Sequence, residues 1–107
     1  MRDAALEELR ERCLAFPDVE ETTSYGHPVF KSGKKAFVAI EQVKGRPSIA
    51  VRADPDRAEL LLKNPRFFAT PYGRGKWVSI WADEKIDWRL LGDLIAAAYG
   101  LATRKRR

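Results

Sequence analysis

The chain has 107 residues, 45% of them hydrophobic, which suffices for one compact domain and is too apolar for a disordered chain. No apolar run approaches the ~18–20 residues that cross a bilayer, and the charged N-terminus lacks the apolar core of a secretory signal. The single cysteine, Cys13, cannot form an internal disulfide. We therefore expect a cytoplasmic protein without a membrane anchor, and we favour a monomer.

The net charge of +5 is unevenly distributed along the chain. Residues 1–21 carry three basic and seven acidic groups, residues 22–82 carry eleven and four, and residues 83–103 carry two and four. The basic surplus therefore lies in the middle of the chain, and it indicates an anionic partner such as nucleic acid. Residues 104–107 are all basic, and we expect them to be a disordered tail outside a single domain at 1–103.

The first third of the chain contains a helix and a hairpin. Apolar residues at three- and four-residue steps predict a helix that is capped by Asp3 and ends at Pro17. The stretch DVEETTSYGHP, residues 18–28, is rich in small polar residues and is predicted to be a loop. Val29–Lys31 and Lys35–Ile40 then alternate like the two arms of a hairpin.

The middle of the chain contains further strands and a short helix. A long turn, Glu41–Pro47, is predicted to lead into the strand Ser48–Arg52. Asp54 is a favoured cap for a short helix over 55–63, whose first position is a proline. Phe67–Ala69 is predicted to be a short strand.

The last third predicts a strand, Trp77–Ala82, and a final helix capped by Asp87. Runs of strands between helices are typical of an α+β two-layer domain, an antiparallel sheet with helices on one face. Because strand residues alternate between faces, Trp77 and Trp81 share one face and Val78 lies on the other. If helices cover the Val78 face, the two tryptophans stand on the outer face.

Three strand-connecting turns combine glycine with basic side chains. The basic side chains are Lys31, Lys34, Lys35, Lys44, Arg46, Arg74 and Lys76. Glycine lets the backbone approach a ligand closely, and lysine and arginine bind phosphates. We interpret these turns as DNA contacts, with Trp77 or Trp81 as a surface on which a base could stack. The alternative for the two tryptophans is that they cover the open side of the sheet or pack under the 18–28 loop. The alternative is that charged hairpin tips only keep the sheet edges from associating.

A second hypothesis is a binding pocket for a small molecule or a partner protein. It would be formed by Tyr25, His27, Lys76 and Trp77, between the 18–28 loop and the sheet. The sequence has no recognisable nucleophile–base pair, phosphate-binding loop or metal-ligand spacing. We therefore predict no enzymatic activity, no cofactor and no metal.

Short motifs follow one another along the chain: Gly26-His27-Pro28-Val29-Phe30, Gly33-Lys34, Ala36-Phe37, Asp54-Pro55-Asp56-Arg57-Ala58, Pro71-Tyr72, Lys76-Trp77-Val78 and Ala98-Tyr99. In order and spacing they resemble the YjbR/MmcQ family over nearly the whole chain. The resemblance implies a YjbR-like, secretion-chaperone-like α+β domain in the order α-β-β-β-α-β-β-α. It also implies DNA binding of the double-wing kind. The chain departs from the family pattern at 72–76, where a Tyr-His pair and a lysine-rich run are more common.

Overall fold

A computed structural model of the protein describes residues 4–71 and 75–103. The elements in chain order are α1 (Ala4–Leu14), β1 (Val19–Ser24), β2 (His27–Ser32), β3 (Lys35–Val43), β4 (Arg46–Arg52), α2 (Pro55–Leu61), β5 (Phe67–Ala69), β6 (Trp77–Trp81) and α3 (Trp88–Thr103). The strands form one six-stranded antiparallel sheet in the order β1-β2-β3-β4-β6-β5. In the described part of the chain, no helix is long and apolar enough to cross a membrane.

The predicted α+β class and order of elements are confirmed, with one strand in addition. The prediction of a loop over 18–28 was wrong, because Val19–Ser24 forms the edge strand β1 and pairs with β2 along its whole length. Its sequence is polar because, at the edge of the sheet, none of its side chains is buried. Tyr25 and Gly26 connect β1 to β2 with φ angles of 52° and 80°, as a two-residue type I′ turn requires.

The connection between β3 and β4 is shorter than predicted. β3 continues to Val43 and β4 begins at Arg46, so the predicted long turn over Glu41–Pro47 is reduced to two residues. Lys44 and Gly45 have φ angles of 54° and 78°, which again fit a type I′ turn. The right-handed twist of such a turn matches that of the flanking strands, so both strands extend almost to its tip.

The helices cover one face of the sheet, as predicted. Their buried residues pack with alternate strand residues into a single apolar cluster. The register aligns Phe30, Val38, Val51 and Val78 across four neighbouring strands, and all four belong to this cluster. Burial of these apolar side chains provides the main stabilisation of the fold.

Capping side chains fix the starts of two helices. The Asp54 carboxylate accepts a hydrogen bond from the Arg57 backbone N–H at 3.0 Å, and the first helical residue is a proline, as predicted for α2. Asp87 accepts from the backbone N–H of Leu90 at 3.2 Å and caps α3, also as predicted. The predicted Asp3 cap of α1 lies outside the described residues.

A bidentate ion pair joins α1 to the edge strand β1. Arg10 donates to Glu21 through Nε at 2.6 Å and through Nη2 at 2.8 Å. These hydrogen bonds hold the pKa of Glu21 below its ordinary value. On the buried side of the same helix, Cys13 is fully buried, and desolvation raises the pKa of its thiol to about 12.

Candidate functional site

The open face of the sheet, opposite to the helices, has a middle row of short side chains. The strand register aligns Val29, Ala39, Ala50 and Ser79 across β2, β3, β4 and β6. Their exposures are only 8%, 7%, 1% and 1%, although none of them belongs to the helix-packed cluster. Short side chains on this face are buried because longer side chains rise on both sides of the row.

We call the resulting depression the trough, with Val29, Ala39, Ala50 and Ser79 as its floor. Its basic wall consists of Lys31, Arg52 and Trp77, which stand two residues along their strands from the floor. Its acidic wall consists of His27, Glu41 and Trp81, which stand two residues along in the other direction. Strand alternation therefore places both walls on the same face as the floor.

Two adjoining cavities, of ≈ 470 Å³ and ≈ 270 Å³, occupy the trough. They share Ser24, Val29, Ala39 and Glu41 in their linings. Their combined size falls within the range of small-molecule sites, roughly 300–1,000 Å³.

The trough brings together three of the four side chains of the predicted pocket. Tyr25 and His27 line the larger cavity, and Trp77 lines the smaller one. Lys76 is exposed and lines neither cavity. Tyr25 is 98% exposed at the tip of its turn, so it forms the rim of the larger cavity.

Glu41 is a site residue that the sequence reasoning missed. Its side chain lines both cavities, and its Oε1 atom is buried without a hydrogen-bond donor among the described residues. A carboxylate oxygen removed from water needs a donor, because a buried polar atom without a partner costs ~1–3 kcal/mol or more. The sequence offers one signal for this residue: in the strand AFVAIEQV, a charged side chain lies on the side that otherwise carries small residues. On its own this signal is weak.

The two tryptophans of the open face have different surroundings. Trp81 stacks on Phe68 with ring centroids 4.3 Å apart, and the Arg46 guanidinium lies 3.9 Å from its ring. These partners come from the strands on either side of β6, so both faces of the ring are engaged. Trp77 has a looser contact, with the Arg52 guanidinium 5.6 Å from its ring centroid, so its ring is less engaged than that of Trp81.

The Arg46 guanidinium is held by acidic side chains. It donates two hydrogen bonds to Asp83 at 2.8 Å and one to Glu84 at 3.0 Å. These bonds raise the pKa of Arg46 and lower the pKa of Asp83. Arg46 thus connects β4 to the segment that follows β6, and the two carboxylates neutralise its charge.

The basic residues of the predicted turns divide between the two ends of the sheet. Lys44 and Arg46 lie at one end, and Lys34 lies about 27 Å away at the other, because the nine residues of β3 separate the two turns. Lys76 lies at the same end as Lys34, since its carbonyl accepts from the Ala53 N–H at 2.8 Å, just beyond the end of β4. Arg74 lies outside the described residues.

We call the group Lys31, Lys34, Lys35 and Lys76 the basic end. Within residues 4–71 and 75–103, none of these four lysines has a carboxylate within the 4.0 Å of an ion pair. Glu20 is the register partner of Lys31, yet it is exposed and does not pair with it. The described ranges also contain no group of three or more His, Cys, Asp or Glu side chains that could hold a metal ion.

These features define a small α+β domain with helices on one face of its sheet and a lined trough on the other. The chain belongs to the YjbR family, whose model matches residues 14–101. The uncharacterised protein YbdF of Escherichia coli O157:H7 is 31% identical over 106 residues, covering 94% of this chain and 87% of that protein.

Two crystal structures share the fold. The Deinococcus radiodurans protein DR2400, which has a DUF419 domain, superposes with a TM-score of 0.79 at 24% identity, over 94% of this chain and 79% of that one. A Pseudomonas syringae protein superposes with a TM-score of 0.75 at 13% identity, over 90% of this chain and 97% of that one. At these identities the likeness concerns the fold alone.

Proposed function

We propose that the protein is a non-enzymatic nucleic-acid-binding module of the YjbR type, which binds phosphates at its basic end with low sequence specificity. The observation that carries the proposal is the group of lysines beside Trp77 that have no ion-pair partner among the described residues. Lysines without a carboxylate partner suit phosphate binding, which positions a nucleic acid without reading its sequence.

The contrast with the opposite end of the sheet supports this assignment. Arg46 is neutralised by Asp83 and Glu84, so a phosphate would have to compete with two carboxylates for it. At the basic end, the nearby Asp54 carboxylate is already used to cap α2. A phosphate at this end would displace only water and counterions, and the release of counterions from the nucleic acid favours binding.

The test is fluorescence anisotropy with labelled duplex and single-stranded DNA over a salt series. Four phosphate contacts predict a slope of log affinity against log salt of about −3.6 for duplex and about −2.8 for single strands. The double variant Lys34→Ala/Lys35→Ala should weaken binding and reduce the slope by about 2. The matched control, Lys63→Ala/Lys85→Ala, removes the same charge from exposed positions outside the basic end and should change the slope little.

Two further proteins complete this design. Lys44→Ala tests the turn at the other end of the sheet and should leave the slope unchanged. A chain that ends at Thr103 tests whether the basic run 104–107 alone attracts polyanions. Binding that is indifferent to salt, or that disappears with the tail while Lys34→Ala/Lys35→Ala has no effect, would refute the proposal.

A second candidate function is binding of a small molecule in the trough. It is favoured by the Glu41 oxygen, which has no hydrogen-bond donor in the described part of the chain and belongs to a residue that lines the cavity. The matching experiment is an NMR titration, in which a small-molecule ligand is added to the isotope-labelled protein. A trough ligand should shift the amide signals of Val29, Ala39 and Ala50 and leave the signals of exposed α3 residues in place. Shifts confined to the lysine turns would argue against this second function.

A further inference from the structure

We infer that the trough holds the base of an unpaired guanine nucleotide and that Glu41 recognises the N–H edge of this base. The inference rests on the proposed nucleic-acid binding and specifies what that site recognises. The ligand chemistry follows from three adjoining features of the open face: the buried oxygen of Glu41, the short floor, and the lysine at the opposite wall.

The first feature is the carboxylate. Glu41 lines the cavity, and its Oε1 is shielded from water without a hydrogen-bond donor among the described residues. Rotation of the carboxylate toward the cavity would offer this oxygen to a ligand, and because an ionised carboxylate only accepts hydrogen bonds, that ligand must present N–H or O–H donors. Guanine presents N1–H and N2–H side by side, which matches two carboxylate oxygens in a paired, charge-assisted contact. Adenine and cytosine offer an amino group next to a ring acceptor, and thymine offers one N–H between two carbonyl oxygens. Guanine is therefore the best complement.

The second feature is the floor. Val29, Ala39 and Ala50 present only small apolar groups, so a planar ring can lie flat within van der Waals contact of the sheet. Trp77 lines the same cavity and provides an aromatic surface at its side. Aromatic side chains are a recurrent component of protein sites that bind unpaired bases.

The third feature is the position of the charges. Lys31 lines the smaller cavity together with Glu41, and it belongs to the basic end. A ligand that spans the trough therefore meets an acceptor at one wall and a cation at the other. A nucleotide has the complementary polarity, with N–H donors on its base and an anionic phosphate on its sugar.

The edge of guanine that Glu41 would contact is hydrogen-bonded to cytosine in a duplex. The trough would consequently accept an unpaired guanine, either in a single strand or as a free mononucleotide. One base read in this way adds little sequence information, so the inference is compatible with low sequence specificity.

The experiment compares four labelled DNA strands of nine nucleotides, each with eight thymidines and a central dG, dA, dC or dT. Phosphate number is constant, so the salt slopes should agree and only the central base should change the affinity. A well-paired carboxylate predicts that the dG strand binds roughly 5- to 150-fold more tightly than the dT strand. Guanosine monophosphate, added as a competitor and in an NMR titration of the wild-type protein, tests the free nucleotide.

Two variants with matched controls locate the effect. Glu41→Gln should reduce the preference for dG to less than twofold without weakening the dT strand, whereas Glu59→Gln, on exposed α2, should preserve the preference. Ala50→Leu fills the floor and should abolish the preference, whereas Ala96→Leu, on the exposed side of α3, should not. The NMR titration of the wild-type protein keeps the test valid if a variant fails to fold.

The outcomes separate this inference from the proposed function. Salt-dependent binding that is equal for all four strands would overturn guanine recognition and leave phosphate binding intact. Absence of binding by every strand, with guanosine monophosphate still shifting the Ala39 and Ala50 signals, would overturn nucleic-acid binding and support a free-nucleotide site. A preference for dG that survives Glu41→Gln would contradict the role of Glu41.

Discussion

The pair of buried hydroxyls beneath the trough allows a sharp test of how the open face is held together. Thr70 Oγ1 and Ser79 Oγ lie 2.7 Å apart, and the two residues are 7% and 1% exposed. Thr70 follows β5 and lines the smaller cavity, and Ser79 belongs to the floor. Their hydrogen bond thus fixes the chain leaving β5 against the centre of β6.

The magnitude follows from what each substitution leaves behind. Ser79→Ala removes the partner of a buried Thr70 hydroxyl, and an unsatisfied buried group costs ~1–3 kcal/mol of unfolding free energy. Thr70→Val should cost a similar amount, because it leaves the Ser79 hydroxyl alone. The double variant removes both polar groups, so its cost should be about 1 kcal/mol or less. The predicted coupling energy is therefore at least ~1 kcal/mol.

Urea unfolding followed by tryptophan fluorescence measures all four proteins of this cycle. For a domain of this size, each 1 kcal/mol lowers the melting temperature by ~4 °C or more, so the single variants are also resolved by thermal unfolding. Thr103→Val is the control, since its hydroxyl bonds at the exposed end of α3 and should contribute little. Single-variant costs that simply add would refute the reasoning, because they would mean that the two hydroxyls do not depend on each other.

Three further outcomes are expected. Burial raises the pKa of the Cys13 thiol from its ordinary 9.0 to about 12, so iodoacetamide at pH 8 should alkylate the folded protein about a thousandfold more slowly than the urea-unfolded chain. Equal rates would contradict that burial. Hydrogen bonds from Arg10 lower the pKa of Glu21, so the pair stabilises the fold above the ordinary pKa of 4.5, and the benefit is lost as pH falls through the lowered value. Glu21→Gln should therefore destabilise at pH 7 but match wild type in strong acid, as pH-dependent urea unfolding would show. Asp54→Ala removes the cap of α2 and should cost ~1 kcal/mol in urea unfolding, whereas Asp54→Asn, which can still cap, should cost less.

The helices and most strands could be predicted because their signals are local. An aspartate followed by a proline specifies the start of α2, and the alternation in β6 specifies that Trp77 and Ser79 share one side and Val78 lies on the other, but not which side faces the helices. In both cases, the residues that determine the structure are near neighbours in the chain. Local preferences of this kind are good predictors because, in natural sequences, they agree with the packing of the whole fold.

Strand β1 could not be predicted in this way. The segment Val19–Ser24 contains no apolar alternation, and only its pairing with β2 makes it a strand. The tertiary hydrogen-bonding partner therefore overrides a local preference for a loop.

Three residues of the trough, Tyr25, His27 and Trp77, were predicted as pocket residues, but its floor could not be predicted because it depends on register. Val29, Ala39, Ala50 and Ser79 are ordinary strand residues until cross-strand pairing sets them in one row. The same holds for Glu41, whose buried oxygen is a product of its neighbours on other strands.

The division of the basic turns was predictable only in part. Consecutive turns of an antiparallel meander lie at opposite ends, so Lys34 and Lys44 must be separated. By contrast, Lys76 lies at the same end as the β2–β3 turn that carries Lys34 only because β6 makes a long-range pairing with β4. One sequence does not specify which strand β6 will join.

The alternation of side chains along the strands also has a consequence for the history of the family. In β4, Ile49 and Val51 face the helices, and Ala50 between them faces the trough. Substitutions at the second kind of position can alter the width and depth of the trough while the helix-packed core stays the same. One scaffold can therefore change the shape of its open face without loss of its helix-packed core, and distant relatives can keep this fold while their open faces differ.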